Sequence, residues 1–67
     1  MERNKLRGRI IEKFETQEKF AEALGITPGT VSKTLRNESK LTREELIEWG
    51  NLLEIPKDDL PSYFFAN

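Results

Sequence analysis

The sequence predicts an all-α fold of four to five short helices with a helix-turn-helix at its centre. Apolar residues recur at helical spacing along most of the chain, and turn or capping residues separate the successive helical patterns. No convincing strand alternation is present before the last residues. With 67 residues the chain has room for one domain, so residues 1–67 are assigned to a single unit.

The first two helices are marked by an apolar stripe and by capping residues. The helix predicted at about 3–15 has apolar residues at a spacing that stacks them on one face, namely Leu6, Ile10 and Phe14. The second helix begins at Thr16, whose hydroxyl can accept a hydrogen bond from an unpaired backbone N–H. It ends at Gly25, because glycine readily adopts the positive φ with which helices commonly terminate.

The third helix is predicted at about 28–36, with Thr27 as its N-cap and Asn37 as its left-handed C-terminal cap. Its inward face consists of Val31, Thr34 and Leu35. Its outward face is small, polar and basic, without an acidic residue, and consists of Pro28, Gly29, Ser32, Lys33 and Arg36. Such a face suits the major groove of DNA, which is about 12 Å wide and has anionic walls. The alternative is an ordinary solvated face.

The fourth helix begins with a capping box formed by Thr42 and Glu45. Its compact apolar stripe consists of Leu46, Trp49, Gly50 and Leu53. Pro56 stops this helix or starts the next turn. A short final turn at 57–60 then leads to a C-terminal tail at 61–67.

Composition argues against catalysis and metal binding. The chain has no Cys and no His, so it lacks disulfides, thiolate zinc ligands and the commonest general base. It also has no Gly-rich phosphate loop, and its acidic residues fall at caps and on exposed faces. We therefore expect no enzyme activity, no cofactor, no metal and no small-molecule substrate. The charged N-terminus is not a secretory signal and no apolar run could span a membrane, so the expected location is the cytoplasm.

Charge is divided unevenly along the chain. Residues 1–36 contain eight Lys and Arg against five Glu, a net charge of +3, whereas residues 37–67 contain three against seven acidic residues, a net charge of −4. The basic N-terminal part could therefore face phosphates, or both parts of the chain could form ordinary solvated surfaces. A basic stripe on the first helix allows the same two interpretations, and consists of Lys5, Arg9 and Lys13.

The segment TQEKFAEALGITPGTVSKTLRN has the architecture of a helix-turn-helix across about 16–36. It resembles the helix-turn-helix of phage repressors and Cro-like proteins, the XRE-type regulators common in bacterial prophages. The matching residues are Thr16-Gln17, Phe20-Ala21, Gly25-Ile26-Thr27, Thr30-Val31-Ser32 and Leu35. The resemblance continues through the fourth helix and LLEIPKDDL, and the ending LEIPKDDLPSYFF is similar to small prophage-encoded members. It implies a lambda-repressor-like DNA-binding domain.

The resemblance also implies sequence-specific binding of double-stranded DNA by a transcriptional regulator, either a repressor or a Cro-like protein. Gln17 matches a residue that holds a DNA phosphate, and Thr30 matches one that touches the DNA backbone. The positions that face base edges hold Pro28, Gly29, Ser32 and Lys33. Of these, Lys33 is the best candidate for reading guanine O6 and N7. Pro28 and Gly29 depart from the family pattern because they offer no side-chain hydrogen bond, which shifts recognition toward DNA shape.

Further contacts to phosphates are expected around and beyond the end of the recognition helix, from Arg36, Lys40 and Arg43. The tail is rich in aromatic residues, which cannot all enter one small core when they are adjacent in sequence. They predict a short closing strand or a homodimer interface formed by Tyr63, Phe64 and Phe65. Such a dimer would place two recognition helices about 34 Å apart on a palindromic operator. The alternative is a tail that folds back over its own core.

A second interpretation keeps the fold and changes the function. In it the chain is a helix-turn-helix protein-interaction module, of the antitoxin or antirepressor kind, with weak non-specific DNA binding. The net charge of −1 and the Pro28-Gly29 pair favour this interpretation. The basic third helix, together with Gln17 and Thr30, favours the regulator.

Overall fold

The structure, a computed structural model, describes residues 3–65. This part of the chain contains helices and no strand, so the all-α prediction is confirmed. The five α-helices are α1 (Asn4–Phe14), α2 (Gln17–Leu24), α3 (Pro28–Leu35), α4 (Arg43–Leu52) and α5 (Leu60–Phe64), with a 3₁₀ turn at Lys57–Asp59 before α5. Helices α2 and α3 form the predicted helix-turn-helix. None of the helices in residues 3–65 is long and apolar enough to cross a bilayer.

Threonine caps the start of three successive helices, as the sequence predicts. The Thr16 hydroxyl accepts the Lys19 N–H at the start of α2, and the Thr27 hydroxyl accepts a backbone N–H at the start of α3. At α4 the capping box is complete, because Thr42 and Glu45 each accept the other's backbone N–H. These bonds satisfy backbone donors that a helix leaves unpaired at its N-terminus.

The ends of α2, α3 and α4 share one geometry. Each is followed by a residue with positive φ, namely Gly25 (77°), Asn37 (61°) and Glu54 (55°). Beyond each of these, the next N–H bonds back to a carbonyl near the helix end, as in the 2.9 Å bond from Ile55 to Gly50. This double-bonded Schellman arrangement closes a helix on its own carbonyls. Gly25 and Asn37 were predicted as such caps, whereas Glu54 was not.

The core is a single cluster to which every α-helix contributes. Its buried members are Leu6, Ile10, Phe20, Ala21, Val31, Leu35, Trp49, Leu53, Ile55 and Phe64. Aromatic rings contact one another in this cluster, with Phe20 edge-on to Trp49 at a centroid distance of 4.9 Å and Phe64 edge-on to the same indole at 6.2 Å. Such edge-to-face pairs add to the burial of apolar area.

The tail folds back on the domain as a helix rather than as a strand. Successive side chains of a helix point about 100° apart, so only one of three adjacent aromatic rings can enter the core. Phe64 is that ring and is only 3% exposed, so it packs mainly in the core of its own chain and leaves little surface for a second copy. Tyr63 is half-buried beneath the Lys5 ammonium, and Phe65 is 68% exposed. Ala66 and Asn67, which belong to the predicted tail, lie outside the described residues.

Candidate nucleic-acid interface

Helix α3 is held against the body of the protein by its inward face. Val31, Thr34 and Leu35 are fully buried, as the sequence predicts. The Thr34 hydroxyl donates to the Thr30 carbonyl, which satisfies this one buried polar side chain. At the C-terminal end of α3, the Arg3 N–H donates to the Leu35 carbonyl at 2.8 Å. The orientation of α3 is therefore fixed along its whole length.

The outward face of α3 is open to solvent. Pro28, Gly29, Lys33 and Arg36 are exposed, whereas Ser32 is half-buried. Within residues 3–65, the Lys33 ammonium makes no hydrogen bond or ion pair. Lys33 is therefore available to bind an external acceptor.

Arg36 differs from Lys33 because an acidic side chain already engages it. Its Nε lies 2.8 Å from a carboxylate oxygen of Glu38, and its Nη2 lies 3.3 Å from the other. This hydrogen bonding, together with the Arg36 charge, lowers the pKa of Glu38, and Lys33 adds a smaller lowering effect. Sequence reasoning missed Glu38, because the two residues face each other across the turn at Asn37 rather than at helical spacing.

Gln17 and Ser32 meet where α2 and α3 cross. Gln17 is the first residue of α2, directly after the Thr16 cap. The Ser32 hydroxyl donates to the Gln17 side-chain oxygen at 3.0 Å, and both residues are half-buried. The predicted phosphate-binding residue and one predicted base-facing residue are thus directly bonded to each other.

Thr30 lies at the exposed start of α3. Its hydroxyl is 3.0 Å from the Thr27 hydroxyl, and its backbone N–H donates to the same Thr27 oxygen. A hydroxyl has one donor and can also accept, so Thr30 retains capacity for an outside partner. Thr30 is therefore positioned by the N-cap of α3.

Lys40 and Arg43 are exposed, and neither has a hydrogen bond or ion pair in the described part of the chain. Lys40 lies at the edge of an apolar groove beside Phe65, and Arg43 lies at the edge of a second groove beside Ile47. Leu46 lines both grooves. These two cations therefore border apolar surface, a feature that their sequence positions did not indicate.

The basic stripe on α1 is occupied by contacts inside the protein. Lys5 donates to the Ser62 hydroxyl, Arg9 donates to the Leu53 and Glu54 carbonyls, and Lys13 pairs with the Glu54 carboxylate at 3.4 Å. These side chains join α1 to the C-terminal part of the chain. The stripe was expected to bind phosphates or to be an ordinary solvated face, and the intramolecular contacts of its side chains were not foreseen in either interpretation.

The described residues contain no group of His, Cys, Asp or Glu side chains that could hold a metal ion. A family model described as "Protein of unknown function (DUF739)" matches residues 2–67. No curated protein matches the chain.

Proposed function

The chain belongs to the DUF739 family, and we propose that it is a sequence-specific DNA-binding protein, a transcriptional regulator of the repressor or Cro-like type. In this proposal α3 enters the major groove and the N-terminus of α2 faces the DNA backbone. The protein would act in the cytoplasm, without a cofactor and without enzyme activity.

One observation carries the proposal: the outward face of α3 presents an exposed lysine and no acidic side chain of its own. Lys33 is exposed and unpaired within residues 3–65, and its neighbours on that face are small. A slim helix with a free cation can approach base edges between two rows of phosphates. The small Pro28 ring and the absence of a side chain at Gly29 permit a close approach at the start of the helix.

The remaining roles follow from position and charge. Lys33 would read guanine O6 and N7, and Gln17 would donate to a phosphate at the start of α2, where the helix dipole also favours an anion. Arg36, Lys40 and Arg43 would add phosphate contacts beyond the recognition helix. The Arg36 contact would compete with Glu38, which holds the guanidinium in the free protein.

We further propose that the protein binds a palindromic operator as a homodimer. Of the large apolar side chains that remain exposed in residues 3–65, Ile47 (45%) and Phe65 (68%) lie beside the two grooves that Leu46 lines. Covering this surface with a second copy would remove apolar area from water. The interface proposed here thus centres on α4 and Phe65, and Phe64 contributes only the small exposed part of its ring that lines the groove beside Phe65.

The second candidate is the protein-interaction module. It is favoured by the Arg36–Glu38 ion pair, which reduces the free positive charge beside α3, and by the exposed apolar side chains around Leu46. In that case the same grooves would receive a different protein, and DNA binding would be weak and non-specific.

The decisive experiment is in vitro selection from random duplex DNA with the purified chain at near-physiological salt. Enrichment of a palindrome with half-sites about one helical turn apart supports the regulator and the dimer together. A salt titration on the selected site then counts the phosphate contacts. Weak, steeply salt-dependent binding without enrichment would instead favour the interaction module.

A pair of lysine variants gives this experiment its control. Lys33→Ala should weaken binding to the selected site by about tenfold or more and relax the preference at one base pair, if the contact to guanine is bidentate. Lys57→Ala removes another exposed charge without a hydrogen bond or ion pair in residues 3–65, outside the helix-turn-helix and at the groove beside Ile47, so it reports on the interface rather than on base contacts. It should leave the base preference unchanged.

A further inference from the structure

The bond between Ser32 and Gln17 connects the two helices of the helix-turn-helix through their side chains. The donor is the Ser32 hydroxyl and the acceptor is the Gln17 side-chain oxygen, at 3.0 Å. The two residues are fifteen positions apart, and both are half-buried. A half-buried hydrogen bond between two helices restricts the rotamers of both side chains.

This bond leaves the Gln17 amide with a defined set of free groups. A glutamine amide has one oxygen that accepts and one nitrogen that carries two donors. The oxygen is engaged by Ser32, whereas the nitrogen has no hydrogen-bond partner within residues 3–65 and is not among the buried unsatisfied atoms there. The free donors are therefore accessible beside the N-terminus of α2, where an anion is electrostatically favoured.

The Ser32 hydroxyl is correspondingly committed. A serine hydroxyl has a single hydrogen, and Ser32 donates it to Gln17. What remains is the capacity to accept, which on a base edge could serve only an amino group. Lys33, one position further along α3, has no such engagement.

We infer that Ser32 is a positioning residue for Gln17 rather than a reader of bases, holding the Gln17 amide so that its nitrogen donates to a DNA phosphate. This inference rests on the proposed DNA-binding function and deepens it. Direct readout of bases by side chains is then concentrated on Lys33, since Pro28 and Gly29 have no polar side-chain atoms. The remaining specificity comes from DNA shape.

The test is a double-mutant cycle on the selected DNA site, with Gln17→Ala, Ser32→Ala and the double variant. Ser32→Ala should weaken binding about threefold to tenfold, the range expected for one hydrogen bond. The weakening should be the same for selected and unrelated duplexes, because a phosphate contact carries no base information. In the Gln17→Ala background, Ser32→Ala should have no further effect. Ser32→Thr, which keeps the hydroxyl, should restore most of the affinity.

A measurement on the free protein checks the geometry independently of DNA. The side-chain amide group of Gln17 should be ordered on the picosecond to nanosecond timescale in the heteronuclear NOE of the wild type, and mobile in Ser32→Ala. An equally mobile Gln17 amide in both proteins would overturn the inference. Thermal unfolding of Ser32→Ala should stay close to that of the wild type, so that lost DNA affinity is not lost folding.

Other outcomes of the binding experiment are equally definite. A Ser32→Ala variant that changes the preferred base at one position would show that Ser32 reads a base, and would overturn the inference. Independent, multiplying effects of the two single substitutions would overturn it as well. If the wild-type chain enriches no DNA sequence, the proposed function itself fails and the role of Ser32 fails with it. If the wild type does select a site, only the role of Ser32 is in question.

Discussion

Arg9 in α1 closes the C-terminal end of α4 by donating from its Nε to the Leu53 carbonyl at 2.9 Å. A second bond of 3.1 Å runs from its Nη2 to the Glu54 carbonyl. Leu53 is the C-cap of α4 and Glu54 is the next residue, so a guanidinium from another helix holds the carbonyls of the turn that follows α4. The Arg9 side chain thus connects α1 to the turn after α4, which is distant from it in sequence.

Replacing Arg9 by Ala should lower the free energy of unfolding by about 1–2 kcal/mol, because two carbonyls lose a charged donor. The measurement is the midpoint of urea denaturation followed by circular dichroism. Arg9→Lys should recover only part of the loss, since an ammonium cannot reproduce the planar fork. An unchanged midpoint in Arg9→Ala would show that water replaces the guanidinium at no cost.

Gly25→Ala should destabilise the protein by about 1–2 kcal/mol through backbone strain alone. Gly25 has a φ of 77°, and an added Cβ would meet no atom within 4 Å. Gly8→Ala is the matched control, because Gly8 lies inside α1 and its added Cβ also meets nothing within 4 Å. That variant should be more stable by about 0.5–1 kcal/mol, as alanine is favoured over glycine in a helix. Thermal unfolding of the two variants should therefore move in opposite directions.

Glu54→Gly should raise the free energy of unfolding by about 0.5 kcal/mol. Glycine relieves the strain of the left-handed conformation, but it also gives the unfolded chain more conformational freedom, which offsets part of the gain. The ion pair with Lys13 that is lost is exposed and contributes little. Glu54→Ala removes the same carboxylate without relieving the backbone, so it should show no gain. Equal effects of the two substitutions on urea denaturation would assign the change to the carboxylate instead.

Phe64 and Phe65 should have separate roles. Phe64→Ala should cost about 3–5 kcal/mol because the ring is buried against Trp49; Phe64→Leu provides a milder variant that stays folded. Phe65→Ala should change stability by no more than about 0.5 kcal/mol, since its side chain is exposed. In sedimentation equilibrium, Phe65→Ala should weaken self-association of the folded protein. A Phe65→Ala dimer as tight as that of the wild type would exclude this side chain from the interface.

Glu38→Gln should strengthen DNA binding and make it more dependent on salt. It releases Arg36 from its ion pair, and one additional phosphate contact steepens the slope of log K against log salt by about 0.9. Asp58→Asn removes the same charge from a residue that has no hydrogen bond or ion pair in the described chain, and should have a smaller effect. The comparison is made near pH 7, well above the pKa of the Glu38 carboxyl, which Arg36 lowers further.

The helix boundaries could be predicted from the sequence because capping is local. Thr16, Thr27 and Thr42 each bond within the next few residues, so the signal and the structure occupy the same stretch of chain. Gly25 indicates the C-terminal end of α2 for the same reason. Glu54 adopts the same left-handed conformation, but glutamate is not a residue type that indicates it, so this helix end is visible only in the structure.

The parts that could not be predicted depend on pairs that are distant in sequence. The periodicity of α1 places Arg9 on a polar face, but not opposite the end of α4. The outward arc of α3 includes Ser32, yet only the crossing of α2 and α3 shows that its hydroxyl faces Gln17. The sequence therefore indicated most of the α3 residues that face outward, while the partners of their side chains required the structure.

The contact of α5 with α1 has a consequence for synthesis. Helix α1 leaves the ribosome before the rest of the domain. The hydrogen bond from Lys5 to Ser62 and the contact of the Trp49 and Phe64 rings both need residues of α5, which is made last. These contacts can therefore form only when α5 has emerged, and a nascent chain without it lacks the Phe64 ring beside the Trp49 indole. Folding during translation is then delayed until nearly the whole domain is made, and a premature stop before α5 would yield a product for proteolysis rather than a shortened but working protein.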